Sequence, residues 1–302
     1  MITGKAIRST GSWYKVISPE GEVIECRLKG KMRLSGNLDT NPVAVGDEVE
    51  YELNNDGTGS IIRILERRNQ IIRQATHGRR GSQVIAANVD LAFSVQSIRD
   101  PQYRPGFIDR FLVTCEAYGV EPVILINKMD LADEQDVADI EEITQRYEAL
   151  GYTLLTSSIH DEESISCIRE MTKNKVSVFV GPSGTGKTSL LNTLDRELNL
   201  PTGEVSASSG KGKHTTTFAT LIRLSHDAWL VDTPGIREFG LVDIEPPELS
   251  MYFPEMRELR LTCRFYNCTH IHEPGCAVHE ALESGKIHQS RYESYCRILQ
   301  SL

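Results

Sequence analysis

Across residues 1–68 the apolar positions come in short runs, 13–17, 21–28, 47–53 and 60–65, broken by turn-forming stretches such as Pro19-Glu20-Gly21 and Asn54-Asn55-Asp56-Gly57. Short strands at this spacing predict a small β-barrel. The period changes at Ala87. Residues 89–95 and 122–126 read as buried strands, and between them Phe107, Ile108, Phe111, Leu112, Cys115 and Tyr118 recur along one helical face. Residues 131–150 repeat that spacing through Val137, Ile140, Ile143, Tyr147 and Leu150, with the acidic residues mostly elsewhere, the pattern of an amphipathic helix. Further strands are expected at 152–155, 176–180 and 228–231, which together imply a mostly parallel sheet covered by helices. After about residue 245 the strand pattern stops and a helical, cysteine-bearing tail follows. The expected architecture is multidomain α/β: a barrel over 1–68, an α/β domain over 69–244 and a helical domain over 245–302.

The length of 302 residues suits two or three domains of roughly 100–200 residues each. A composition of 39% hydrophobic and 25% charged residues excludes collagen-like and wholly disordered chains. No run of about 18 apolar residues is present, which argues against a membrane-spanning helix, and the opening MITGKAIRST lacks the apolar core of a secretory signal. Seven cysteines, three of them crowded between 263 and 276, fit a reducing compartment with a metal site better than a disulfide framework, so the cytoplasm is expected. The net charge of −9 conceals an asymmetry: residues 1–80 hold 13 Lys and Arg against 10 Asp and Glu, and the remainder 20 against 32. A basic amino-terminal part on an acidic body directs the chain toward a polyanion through one domain only.

Gly181-Pro182-Ser183-Gly184-Thr185-Gly186-Lys187-Thr188 matches the phosphate-loop pattern and lies between the run 176–180 and a helical run opened by Ser189. Successive backbone N–H groups there cradle the α- and β-phosphates of a nucleoside triphosphate; Lys187 bridges the β- and γ-phosphates and the Thr188 hydroxyl ligates Mg2+. Asn127-Lys128-Met129-Asp130 follows the run 122–126 and selects the base, because the Asp130 carboxylate can accept from both N1–H and the 2-amino group of guanine, donors that adenine lacks there. Lys128 lies along the base and Asn127 ties this loop to the phosphate loop. Thr156-Ser157-Ser158 follows another strand, where Ser157 and Ser158 are placed to offer a backbone N–H to guanine O6. Asp232-Thr233-Pro234-Gly235 completes the set, with Asp232 holding Mg2+ through water and the Gly235 N–H sensing the γ-phosphate. Upstream, Lys211-Gly212-Lys213-His214-Thr215-Thr216-Thr217 has the composition of a switch, and Thr216 is the residue chosen to complete the magnesium shell.

The order of these motifs is permuted. A small GTPase of the usual arrangement runs phosphate loop, switch threonine, DxxG, NKxD and serine-alanine loop; here NKMD and TSS precede the phosphate loop, a circular permutation of the same sheet. The DxxG segment is thus the last of its domain and leads into the tail, which nucleotide state could reorient. After Gly235 stands Ile236, where Ras-like enzymes use a glutamine to orient the attacking water, so intrinsic hydrolysis should be slow, and His214 is the nearest polar candidate to replace it.

Cys263, Cys268, His270 and Cys276 form C-x4-C-x-H-x5-C, a donor set suited to one tetrahedral, structural Zn2+; His272 is a rival fourth ligand and His279 a weaker one. Cys26, Cys115, Cys167 and Cys296 are isolated and read as small core hydrophobes. In Cys26-Arg27-Leu28-Lys29-Gly30-Lys31-Met32-Arg33-Leu34 every basic residue is at an odd position, so a strand would carry all four charges on one face, suited to a nucleic-acid backbone or to protecting a sheet edge.

A strand-rich barrel, a permuted GTPase core and a Cys3His tail, in that order, resemble the ribosome small-subunit-dependent GTPase family, known as RsgA, YjeQ or YloQ. The likeness extends over nearly the whole chain and includes Val45-Gly46-Asp47, Ala86-Ala87-Asn88-Val89-Asp90 and Glu273-Pro274-Gly275-Cys276-Ala277-Val278 beside the motifs above. Thr185 and Thr188 stand where many members have Val and Ser. The resemblance implies an OB-fold barrel, GTP and GDP as ligands, Mg2+ at Thr188, Thr216 and Asp232, and a zinc-binding tail. It also implies GTP hydrolysis stimulated by the 30S subunit late in its maturation, with 16S rRNA as partner, no membrane, and a monomeric chain. The alternatives from the residues alone are a GTPase of another system, or a GTP-dependent binding switch with little hydrolysis of its own, favoured by Ile236.

Overall fold

A computed structural model describes residues 1–30, 42–74, 82–201, 219–232 and 244–302. Five strands close a barrel: β1 (Ile2–Ser9), β2 (Tyr14–Ile17), β3 (Val23–Leu28), β4 (Glu48–Leu53) and β5 (Gly59–Ile64), paired in the order β1-β2-β3-β5-β4 and back to β1. Tyr14, Val16, Cys26, Val49, Tyr51 and Ile61 fill the interior as the inward half of each alternation. β1 was not expected, because Gly4, Lys5 and Arg8 interrupt its apolar pattern. It is needed to close the barrel and remove the open sheet edges. Gly59 is dictated by packing, since a Cβ there would lie 2.5 Å from the Cys26 sulfur.

β6 (Gln70–Gln74) and β7 (Ser82–Ala87) pair antiparallel in a separate two-stranded sheet, also unforeseen. Then come β8 (Leu91–Ser97), α1 (Pro105–Tyr118), β9 (Glu121–Asn127), α2 (Glu134–Glu148), β10 (Thr153–Thr156), α3 (Glu162–Thr172), β11 (Val176–Val180), α4 (Lys187–Leu194), β12 (Thr220–Arg223) and β13 (Trp229–Asp232). β10, β9, β8, β11 and β13 are parallel, and β12 pairs antiparallel with β13. β8 and β11 are buried at every position, as expected of parallel strands covered on both faces, and Phe93 of β8 stacks on Phe179 of β11 at 4.4 Å. β12 also pairs with β1, through Arg8 and Thr220, so the barrel strands and the α/β strands form one continuous sheet.

The motifs Val45-Gly46-Asp47 and Ala86-Ala87-Asn88 meet at the seam of these two parts. Gly46 has φ +89° and a Cβ on it would lie 2.1 Å from the Ala87 carbonyl oxygen; the Asn88 amide donates to the Gly46 carbonyl at 3.0 Å. Beside them Asp47, 0% exposed, accepts two hydrogen bonds from Arg67 at 2.7 and 2.8 Å and one from the Ala44 N–H.

The tail contains α5 (Pro254–Arg257), α6 (Ala277–Glu283) and α7 (Gln289–Leu299). Among the described residues it contains no strand. Leu249, Phe253, Met256, Val278, Tyr295 and Ile298 share one core with Val113 of α1. At its centre Arg291 of α7, 1% exposed, donates to Asp109 of α1 at 2.6 Å and to both oxygens of Glu255 at 2.7 and 3.1 Å, with its guanidinium carbon 4.7 Å from the Phe253 ring centroid. Tyr147 of α2 also donates to Asp109 at 2.8 Å. Arg291→Ala would leave two carboxylates buried beside each other without their cation, and should cost about 3–5 kcal/mol of stability in urea unfolding, as for other broken buried ion pairs; an unchanged midpoint would contradict this account.

Cys26 and Cys115 are buried and Cys296 partly so, but Cys167 is exposed. It lies on the solvent side of α3, whose buried positions are Ile165, Ile168 and Thr172. No helix among the described residues is long and apolar enough to cross a membrane.

Candidate functional site

The loops singled out by sequence converge at the carboxyl ends of β9, β10 and β11. β11 ends at Val180, and Gly181 turns the chain away with φ +152°, where a Cβ would lie 2.1 Å from the Val95 carbonyl oxygen of β8. Gly186, with φ +84°, precedes α4, and a Cβ on it would lie 2.6 Å from the Asn127 amide nitrogen. Both glycines are therefore required for the backbone to pass close to its neighbours. The Lys187 ammonium folds back over the loop, donating to the carbonyls of Gly181 and Pro182 at 2.8 and 2.6 Å. Thr185 is buried and its hydroxyl donates to Pro182 O, while Ser183 and Gly184 are exposed on the rim and Thr188 and Ser189 are half-buried on the first turn of α4.

Asn127, 1% exposed, donates from its amide to the Thr185 carbonyl at 3.0 Å and accepts from the Ser157 hydroxyl at 3.1 Å. One side chain thus binds all three loops together: the link to the phosphate loop is the one expected, and the link to Ser157 is additional. Lys128 has φ +63° and its ammonium donates to the Asp100 carbonyl. The Met129 N–H donates to Ser157 O at 3.1 Å. Asp130 is exposed and accepts from the buried Ser158 hydroxyl at 2.6 Å, which orients the carboxylate.

Two features were missed in the sequence. The turn Asp100-Pro101 after β8 forms a wall of the site, with Asp100 holding Lys128 and Pro101 facing Gly184; it carries no nucleotide motif, and only the sheet order brings it there. The hydroxyls of Ser157 and Ser158 are engaged by Asn127 and Asp130, the Ser157 N–H donates to Ile126 O and the Ser158 N–H to the Ser164 hydroxyl at 3.4 Å, so the next backbone N–H in line is that of Ile159. Asp232 lies at the end of β13, half-buried, and burial pushes its carboxyl up from the usual range. His214, Thr216, Gly235 and Ile236 lie outside the described residues, as do Lys31 and Arg33 of the basic stripe. Of that stripe, Arg27 is exposed on β3, as Val23 and Glu25 are, and Lys29, beyond the strand, pairs with Glu52 at 3.1 Å.

In the tail, one ligand atom from each of Cys263, Cys268, His270 and Cys276 lies within 4.8 Å of the others. The Cys263 sulfur is 4.0 Å from that of Cys276 and 3.6 Å from His270 Nδ1, and His270 Nδ1 is 3.4 Å from the Cys276 sulfur. Tetrahedral zinc with Zn–S near 2.3 Å requires edges of about 3.5–3.8 Å, so the residues fit such an ion. Burial pushes the Cys268 thiol up to about 12 and holds the His270 imidazole below its usual value, so a bound cation would displace protons from the thiols. His272 is exposed and outside the cluster; the His279 ring pairs with the His270 carbonyl and the Tyr292 hydroxyl.

Glu273 holds the ligand loop from the inside. Its burial opposes ionisation, but hydrogen bonds from the Thr269 hydroxyl and N–H and from the His272 N–H outweigh that and keep its carboxyl well below the usual range. Glu273→Gln turns an amide NH2 toward donors that need an acceptor, and should destabilise the tail by about 1–3 kcal/mol in urea unfolding. A variant as stable as the parent would show that the loop does not depend on it.

The family model of the RsgA N-terminal domain matches residues 3–61, and that of the RsgA GTPase matches residues 64–242. The chain is 45% identical to the small ribosomal subunit biogenesis GTPase RsgA of Flavobacterium johnsoniae, over 99% of this chain and 93% of that one. It is 42% identical to the protein of the same name in Bacteroides fragilis, over 98% and 96%. Among solved structures it is similar to YjeQ from Thermotoga maritima, with a TM-score of 0.80 and 36% identity over 100% of this chain and 98% of the other. It is also similar to YloQ, described as a circularly permuted GTPase, with a TM-score of 0.78 and 33% identity over 100% and 94%. With NKMD and the serine loop ahead of the phosphate loop around one shared site, the chain belongs to the RsgA GTPase family.

Proposed function

We propose that this protein hydrolyses GTP to GDP and phosphate as a maturation factor of the small ribosomal subunit, binding 16S rRNA and accelerated by the 30S particle. The observation that carries the reading is the single hydrogen-bonded junction at Asn127, which holds a base-selecting loop and a phosphate loop in one cradle. We assign three units to the chain, a barrel over 1–68, a GTPase domain over 69–244 and a zinc-binding domain over 245–302, acting as a monomer in the cytoplasm.

In the binding step, Asp130 accepts from the guanine N1–H and 2-amino groups, with its carboxylate oriented by Ser158. The O6 acceptor is met by a backbone N–H of the loop after β10, where that of Ser158 makes only a long bond to Ser164 and that of Ile159 is next in line. Lys187 exchanges the Gly181 and Pro182 carbonyls for phosphate oxygens, charged acceptors in place of neutral ones. The backbone of 181–189 and the start of α4 supply further donors. Thr188, Thr216 and Asp232 would hold Mg2+, which supplies charge neutralisation at the phosphates. The raised affinity of Asp232 for protons fits a carboxylate buried in wait of a cation. Gly235 reads the γ-phosphate, and His214 orients the attacking water in place of the glutamine that Ile236 replaces. Cys263, Cys268, His270 and Cys276 hold one Zn2+ whose role is structural.

The deciding experiment compares GTPase turnover alone, with 30S subunits, with 50S subunits and with total tRNA. Stimulation confined to 30S is expected. Equal rates in all four would end the ribosomal reading, and a His214→Ala variant with full stimulated turnover would end the catalytic role of that histidine.

A further inference from the structure

Between the barrel and the outer edge of the GTPase sheet lies a cleft of about 460 Å³, lined by β1 and β2 on one side and by Asn174, Arg223 and Trp229 on the other. Trp229 is half-exposed at its wall, with the Lys5 ammonium 5.9 Å and the Arg223 guanidinium 6.0 Å from its ring centroid. Asn174 is exposed, and its side-chain amide makes no hydrogen bond among the described residues. The cleft is continuous with the outside of the barrel. Tyr14 and Val16 point inward, so Trp13, Lys15 and Ile17 share the outer face of β2. At the far end of that face the Arg27 guanidinium lies 3.7 Å over the Trp13 ring, and at the near end Ile17 stands opposite Lys5, inside the cleft. Arg8 is opposite Lys15 in the middle, with its Nε buried and without a hydrogen-bond partner among the described residues.

We infer that a single strand of RNA runs along the outer face of β2 from Trp13, past Lys15, into this cleft, where one base stacks on Trp229 and Lys5 and Arg223 hold its phosphates. This rests on the RNA-binding reading of the barrel and extends it onto the GTPase sheet. The spacing suits the ligand: Trp13 and Ile17 are about 13 Å apart along a strand, a distance that a few unstacked nucleotides span. Stacking platforms joined by cations are the means by which single strands are held without sequence preference. Glu25 and Glu48 flank the path and Asp227 pairs with Arg223 at 3.0 Å, so aromatic stacking contributes more than charge. Asn174 offers both a donor and an acceptor to a base edge at the cleft wall. Trp229 begins the same four-residue strand that Asp232 ends, so an occupied cleft abuts the element leading to the nucleotide site.

The chain has two tryptophans, one at each end of the path. Trp13→Phe leaves Trp229 as the sole indole, and Trp229→Phe leaves Trp13. Hexauridylate, whose binding is followed independently by anisotropy of a labelled copy, should quench Trp229 emission in the first variant and Trp13 emission in the second. Lys5→Ala combined with Arg223→Ala should weaken hexauridylate about tenfold and abolish the Trp229 response, with GTP affinity unchanged. Binding that leaves Trp229 emission unchanged would overturn the path by confining RNA to the barrel. Quenching of Trp229 by uridine monophosphate as strong as by the hexamer would overturn it in favour of a small-molecule pocket. If the labelled oligonucleotide does not bind at all, the RNA-binding reading of the barrel fails as well, which separates the two failures.

Discussion

Asp130→Asn should lower GTP affinity by about a thousandfold, the effect of removing two charge-assisted hydrogen bonds of about 1.5–3 kcal/mol each. It should bring xanthosine triphosphate, which carries an oxygen in place of the 2-amino group, to an affinity near that of GTP in the parent. Ser158 holds one Asp130 oxygen at 2.6 Å and the carboxylate is otherwise exposed, so selectivity arises as the base covers it and not from a pre-buried charge. Competition titrations with GTP, ATP and xanthosine triphosphate make the measurement. If the variant keeps its preference for GTP over ATP and xanthosine triphosphate, the base lies elsewhere, and the convergence of NKMD on the phosphate loop at Asn127 loses its meaning.

Removal of zinc is expected to unfold the tail while leaving the α/β core intact. Structural zinc in small domains contributes about 10–16 kcal/mol of apparent binding free energy, all of it folding free energy where the site does not pre-exist. Purified protein should contain about one zinc per chain. Chelation, or Cys268→Ser, should release amide exchange protection in α6 and α7 and retain it in β8 and β11, which have their own core on both faces. Because Arg291 of α7 is tied to Asp109 of α1 inside a shared core, α1 should also exchange faster near Asp109 and Val113. A zinc-free chain with α6 and α7 still protected would make the four ligands incidental to folding.

The same junction bears on how nucleotide state could reach the tail. The permuted order leads the DxxG segment into it, which suggests a tail that reorients. The buried triad and the shared core fasten α7 to α1, so any reorientation has to break a pair whose partners are each about 1% exposed. A rigid tail moving with the GTPase body costs nothing of this kind.

Sequence alone determined the chemistry and the class of fold. The phosphate loop, NKMD, DTPG and the cysteine spacing are local patterns, each readable within a few residues because backbone cradles and metal tetrahedra impose fixed spacings. The buried strands β8, β9 and β11 were equally legible, since parallel strands covered on both faces are rich in apolar residues without alternation. Tertiary structure decided whatever depends on contacts distant in the chain: β1 closing the barrel despite a weak alternation, β12 joining barrel to GTPase sheet, and Gly46 against Ala87. It also decided that Ser158 orients Asp130, that Asp100 holds Lys128, that His270 and not His272 completes the cysteine cluster, and that Cys167 faces solvent. Propensity and periodicity report on a residue's neighbours in sequence, whereas these outcomes are set by which faces are brought together when the sheet and the tail pack, and no local pattern encodes that.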